Sequence, residues 1–192
     1  MSIMLEMKRQ TADCHADTES VLREQLFNCQ LSQSRYYNVI NAFHAAYSSL
    51  ESAISVFPLT SRLLKNRSKI ELLKKDLIYL RSGYSVKASC ISAPSLPYVA
   101  NEATALGVMY VMEGSTLGGK IIINHLSKYD WMNVDLCGNF FNNYGSGRSY
   151  MWNEFGQVVD SFFIANNHAA NHLVSGAKIA FEYIYSLLIQ VR

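Results

Sequence analysis

Residues 103–128, ATALGVMYVMEGSTLGGKIIINHLSK, form the longest apolar-rich run of the chain and carry four glycines: Gly107, Gly114, Gly118 and Gly119. No proline interrupts the run and no turn cluster breaks it, so the pattern predicts a helix. Each glycine inside a helix costs about 1 kcal/mol relative to alanine. A helix that keeps several of them has something pressed close to its backbone. Gly107, Gly114 and Gly118 are spaced by seven and four residues, so at about 3.6 residues per turn they share one face of bare backbone.

A membrane-spanning helix with a Gly-x-x-x-Gly dimer face would fit the Gly114/Gly118 spacing. Glu113 and Lys120 sit mid-run, however, and the uninterrupted apolar length falls short of the roughly 20 residues a span requires. A phosphate loop would need Gly-Lys-Ser/Thr after a strand, and the motif is missing. Two readings stay open: close helix–helix packing, and a planar ligand lying flat against the backbone. The second accounts better for so wide a bare stripe.

The rest of the chain predicts an all-α, single-domain helical bundle of about six helices spanning residues 1–192, because no stretch shows useful period-2 alternation. Residues 3–27 read as an amphipathic helix. Ser32 caps a second helix over about 33–57, with Tyr36, Tyr37, Ile40, Phe43, Ala46, Tyr47, Leu50 and Ile54 as its apolar stripe and Pro58 closing it. A third, about 62–80, begins after Ser61 and turns its basic residues outward. Residues 81–98, with Pro94 and Pro97, are a loop, and 129–148 are irregular. Ser149 caps a helix of about 150–165, and Asn166–Asn167 bend the chain before a last helix of about 168–190.

Apolar residues make up 49% of the 192, enough for a sizeable core. A net charge of +2 gives no reason to expect nucleic acid. Residues 61–90 hold eight Lys/Arg against two acids, a net of +6. That segment is either a solvated helix face or a docking patch for an acidic protein. Cys14, Cys29, Cys90 and Cys137 are scattered without a C-x-x-C, which points to free thiols in a reducing compartment. The N-terminus lacks a signal-peptide apolar region. The expectation is a cytoplasmic protein without a membrane segment.

His15 gains interest from its neighbours. Lys8, Thr11 or Ala12, His15, Glu19 and Leu22 step along one face of the first helix. Imidazole is a standard axial ligand of haem iron. Glu19, one turn on, can hold the second ring nitrogen or a water. A macrocycle clamped between this helix and the glycine helix would explain both. His168 and His172 are spaced i, i+4, as a metal site can be, but no acidic third ligand lies near in sequence. His44 and His125 read as packed or surface residues.

The segment Lys8-Arg-Gln-Thr11-Ala-Asp-Cys-His15-Ala-Asp-Thr-Glu19 resembles the proximal helix of haem oxygenases. Tyr110-Val-Met-Glu-Gly114-Ser115-Thr-Leu-Gly118-Gly119 resembles their distal helix, and is most similar to the bacterial branch that supplies biliverdin to phytochromes. Phe140-Phe141-x-x-Tyr144-Gly145, followed by Trp152 and Phe155, is similar to that branch too. These blocks cover about a third of the chain, in the family's order. The resemblance implies oxidative opening of haem to biliverdin with release of CO and iron. Haem would be both substrate and cofactor, with O2 and electrons from an external reductant such as a ferredoxin, flavodoxin or flavoprotein reductase. It implies His15 as the axial iron ligand and Gly114, Ser115, Gly118 and Gly119 as the distal pocket. Lys8 matches a propionate contact, Tyr110 a distal-helix tyrosine, and Arg148 is a candidate second propionate contact. Thr11 and Glu19 complete the proximal pattern. Ser115 stands where the mammalian pattern has Asp; a hydroxyl can order water but carries no charge. A haem carrier or sensor on the same fold, without turnover, is the alternative. A thiaminase-like hydrolase, which would want a nucleophilic Cys with carboxylate partners, and a di-iron oxidase, for which no Glu-x-x-His occurs, rank below both.

Overall fold

The helical periodicities become nine α-helices among the residues that the computed structural model describes, 2–27, 30–82 and 86–191, with no strand among them. The count exceeds six because two expected helices divide and one short helix was not foreseen. The N-terminal helix bends at Thr11, giving α1 (Ile3–Gln10) and α2 (Ala12–Leu26). Thr11 leaves helical geometry, and its buried hydroxyl donates back to the Met7 carbonyl at 2.8 Å, a bond that bends helices. Ser32 does cap α3 (Gln33–Ile54), accepting the Arg35 N–H at 3.2 Å. All eight residues of the expected apolar stripe of α3 are buried.

The helix expected over 62–80 is two, α4 (Pro58–Leu64) and α5 (Ile70–Ser82). Pro58 opens α4 and does not close α3, because a missing N–H costs nothing in the first turn. Two N–H groups of that turn, on Leu59 and Thr60, donate to the distant Glu102 carboxylate at 3.1 and 3.0 Å. The chain between α4 and α5 carries Arg67 and Lys69 into the interior; it does not expose them as expected. Asn101 caps the glycine helix, α6 (Glu102–Leu126), accepting from Thr104 N–H at 3.0 Å. The short α7 (Val134–Cys137) lies in the stretch expected to be irregular. Next, α8 (Arg148–Ala165) starts from Gly147, not Ser149, and a 3-10 turn at Asn167–Ala169 leads into α9 (Ala170–Leu188).

Helices α6 and α9 form the centre, and two glycines set how closely they cross. A Cβ on Gly107 would lie 2.0 Å from the Leu173 carbonyl oxygen, and a Cβ on Gly176 would lie 2.0 Å from that of Thr104. Gly107 therefore serves helix–helix packing, and the planar-ligand reading does not extend to it. Helices α2 and α3 also pack on α9, and α3 on α6. Buried apolar residues from eight of the nine helices, all but α4, join in one cluster. No helix among the described residues is long and apolar enough to cross a membrane.

Candidate functional site

Past the crossing, α6 emerges from the core with one side uncovered. Gly118 has nothing within 4 Å of where a Cβ would stand, and Gly114 meets only the Trp152 ring edge at ordinary contact distance, 3.5 Å. Ser115 and Gly118 are exposed. So are Leu117 (43%) and Ile121 (68%), two large apolar side chains on the same stretch of helix. An exposed apolar face with a bare-backbone gap at Gly118 is a surface shaped for a ligand. Gly119 points elsewhere: a Cβ there would lie 2.0 Å from the Phe141 carbonyl oxygen, so this glycine seats the α7–α8 segment.

Polar groups flank that face. Ser115 Oγ lies 2.7 Å from the hydroxyl of Tyr47, a fully buried residue of α3, and donates to the Met112 carbonyl at 2.9 Å. Burial pushes the ionisation of Tyr47 far above the usual tyrosine range. Tyr110 is buried against Trp152, ring centroids 5.5 Å apart, and burial raises its ionisation too.

On α2, His15 is 63% exposed; its Nδ1 stands 3.7 Å from a Glu19 carboxylate oxygen and its ring meets Phe181 of α9 edge-on at 5.7 Å. Exposed Ala12 and Ala16 leave the surface around it low. Lys8 is exposed at the end of α1, and Thr11 is buried in the bend between α1 and α2. At the far end Phe27, just past α2, stacks on His125 of α6 with centroids 4.4 Å apart. Helices α2 and α6 thus rest on common supports, α9 and α3, and are tied at their C-terminal ends.

Directly under Gly114 lies a charge cluster. Glu113, 2% exposed, takes Arg67 Nη1 on one oxygen and Lys69 Nζ at 2.7 Å on the other. The Tyr144 hydroxyl donates to the same carboxylate at 3.0 Å and accepts from Lys69 Nζ at 2.6 Å. Arg67 Nη2 reaches Glu154 at 2.7 Å, and the Lys69 N–H donates to Glu51 at 2.8 Å. Burial outweighs these partners for Lys69, lowering its pKa, and raises those of Glu51 and Tyr144. Arg67 and Lys69 are therefore removed from any docking patch, and Lys74 is paired with Glu71 at 2.8 Å. Exposed Arg62, Lys65, Lys75, Arg81 and Lys87 remain of the basic segment.

Arg148 is half-buried; its Nη2 points at the Phe141 carbonyl, 3.5 Å away, and its buried Nε has no hydrogen-bond partner. His168 and His172 line a groove of about 430 Å³ with Asn101 and Phe162, away from the residues above. No group of three His, Cys, Asp or Glu side chains among the described residues converges as a metal site would require. Cys14, Cys90 and Cys137 are free thiols, and Cys29 lies outside the described residues.

Tyr47, Glu113, Arg67, Lys69 and Tyr144 escaped the sequence reading as site residues. One signal was available: Glu113 is the lone acid in the apolar run 103–128, and a buried carboxylate demands a cation. Nothing in the sequence pairs it with Arg67 or Lys69.

A sequence model of the family described as heme oxygenase matches residues 1–190. Among solved structures, heme oxygenase from Neisseria meningitidis in its NO- and CO-bound forms is 20% identical, with a TM-score of 0.77 over 100% of this chain and 92% of that one. Heme oxygenase 2 from Chlamydomonas reinhardtii, solved without heme, is 16% identical, with a TM-score of 0.83 over 100% and 98%. No curated protein compared with the chain matches it.

Proposed function

The chain belongs to the haem oxygenase family, a family of haem-degrading oxidoreductases, and from that premise we propose that it opens haem to biliverdin with release of CO and iron. The observation that carries the reading is the uncovered face of α6, where Gly118 leaves room for a flat ligand beside exposed Leu117 and Ile121. Haem, as substrate, brings the iron at which dioxygen is activated. His15 would ligate that iron through Nε2, since its Nδ1 faces Glu19, whose carboxylate stands 3.7 Å away and would orient the ring on closing that gap. Gly114 and Gly118 would admit the macrocycle close to the α6 backbone. Ser115, held by Tyr47, would order water on that side. Exposed Lys8 would meet a propionate, and Tyr110 would back the pocket from the core side. Arg148 would take the second propionate only by releasing the Phe141 carbonyl. Electrons would come from an external donor of the ferredoxin, flavodoxin or flavoprotein type, and the product would suit a phytochrome pathway.

The test is optical. Purified protein is titrated with haemin, then given ascorbate or a ferredoxin and its reductase in air, beside a His15→Ala variant. The Soret band should decay into biliverdin absorption, with the variant impaired and its ligation altered. A Soret band that persists under reductant and air would instead identify a haem carrier.

A further inference from the structure

The loop between α7 and α8 is fastened to α6 at two points that flank the uncovered face. At one, the Phe141 carbonyl rests where a Gly119 side chain would be. At the other, six residues back along α6, the Tyr144 hydroxyl donates to Glu113. Gly114, Ser115 and Gly118 lie between. Tyr144 adopts a left-handed backbone, φ 65°, followed by Gly145 at φ 50°. A bulky non-glycine residue rarely takes this conformation, and it persists only where the surroundings over-determine it. Here they do. Lys69 Nζ sits 4.4 Å from the ring centroid of Tyr144 and also binds its hydroxyl, while Gly147 N–H closes on the Tyr144 carbonyl at 2.8 Å. Arg67 and Lys69 already neutralise Glu113, so charge compensation does not require the tyrosine. Its hydroxyl adds one thing: it locks the loop to the helix beside Gly114.

We infer that Glu113–Tyr144 and Gly119–Phe141 form a bracket that positions the Gly114–Gly118 face of α6 against its substrate and so sets which meso carbon of the macrocycle is opened. Tyr144 and Glu113 are positioning residues; neither touches the reacting atoms. The inference rests on the haem-opening reading, and its measurement separates the two. Tyr144→Phe keeps the ring over Lys69 and removes only the hydroxyl. Biliverdin isomers from wild type and variant are separated chromatographically, and hydrogen exchange of amides 114–119 is followed in the haem-free proteins. The variant should change the isomer ratio about fivefold, as losing one hydrogen bond of ordinary strength would, and should speed exchange across 114–119. An unchanged isomer ratio overturns the bracket. Where the phenylalanine variant fails to fold, Tyr144→Asn removes the same hydroxyl with a residue suited to the left-handed backbone, and is scored identically. A wild type that makes no biliverdin defeats the functional reading instead. The bracket is then judged by exchange alone, and unchanged protection in the variant overturns it.

Discussion

The hydroxyls of Tyr47 and Ser115 lie 2.7 Å apart and link the buried stripe of α3 to the uncovered face of α6. Ser115 spends its proton on the Met112 carbonyl at 2.9 Å, a shorter bond than the 3.4 Å from Tyr47 to that carbonyl. The consistent arrangement has Tyr47 donating to Ser115, which leaves the serine one unused acceptor site. Ser115 would therefore receive a proton-bearing partner at the site and not donate to one.

Tyr47→Phe and Ser115→Ala should each lower stability by about 1 kcal/mol, and the pair should be non-additive by about half that or more. Urea unfolding of wild type, both single variants and the double variant measures the coupling. Strict additivity would mean that the two hydroxyls do not bond.

Glycines of the uncovered α6 face and of the α6–α9 crossing should separate by role. Gly118→Ala meets open space and should leave the haem-free fold intact or stabilise it by up to about 1 kcal/mol, the helix-propensity gain. It should nonetheless weaken haemin binding by about tenfold, because the methyl group occupies ligand space. Gly176→Ala meets the Thr104 carbonyl and should cost about 3 kcal/mol or more in thermal unfolding. Equal haemin affinity in Gly118→Ala and wild type would remove this face from the site.

Glu113→Ala should be far more damaging than its neighbours' surface changes. It leaves buried Lys69 without a paired carboxylate and buried Arg67 with Glu154 alone, and breaking a buried pair in this way costs about 3–5 kcal/mol. For a domain of this size that corresponds to a fall in Tm of about 10 °C, readable by calorimetry or circular dichroism. A fall within a degree or two would show that the cluster is solvated in solution.

Alkaline pH should unfold the protein through its tyrosines. Burial raises the ionisation of Tyr36, Tyr47 and Tyr144 well above the usual value of about 10. A folded-state pKa above the unfolded one means that the stabilisation is complete below about pH 10 and is lost as pH climbs toward the folded value. Denaturant midpoints should therefore decline above about pH 10. A 295 nm titration should show these three hydroxyls ionising only with unfolding, and one fewer in Tyr47→Phe. Smooth ionisation of all twelve tyrosines near pH 10 would contradict their burial.

The apolar stripe of α3 and the course of α6 were readable because periodicity reports burial directly. His15 and Gly118 became candidates through a ligand-type side chain and small residues at helical spacing, Ser115 only through the family resemblance, and all three lie on exposed surface. The four glycines of α6 were not separable in sequence. Gly107 faces a neighbouring helix, Gly119 a loop carbonyl and Gly118 open space, and only the approach of Leu173 or Phe141 distinguishes them. Arg67 and Lys69 resembled a solvated basic face because local charge counts ignore a partner more than forty residues away. The bend at Thr11 was hidden for a similar reason. It depends on a hydroxyl turning back on its own helix, which residue type permits but does not dictate.

Two carbonyls touching two glycines at the crossing of α6 and α9 leave those helices no room to slide or rock past each other. The first half of α6 is in effect a fixed post. A macrocycle seated on the second half of the helix would therefore lie against a wall whose base does not shift.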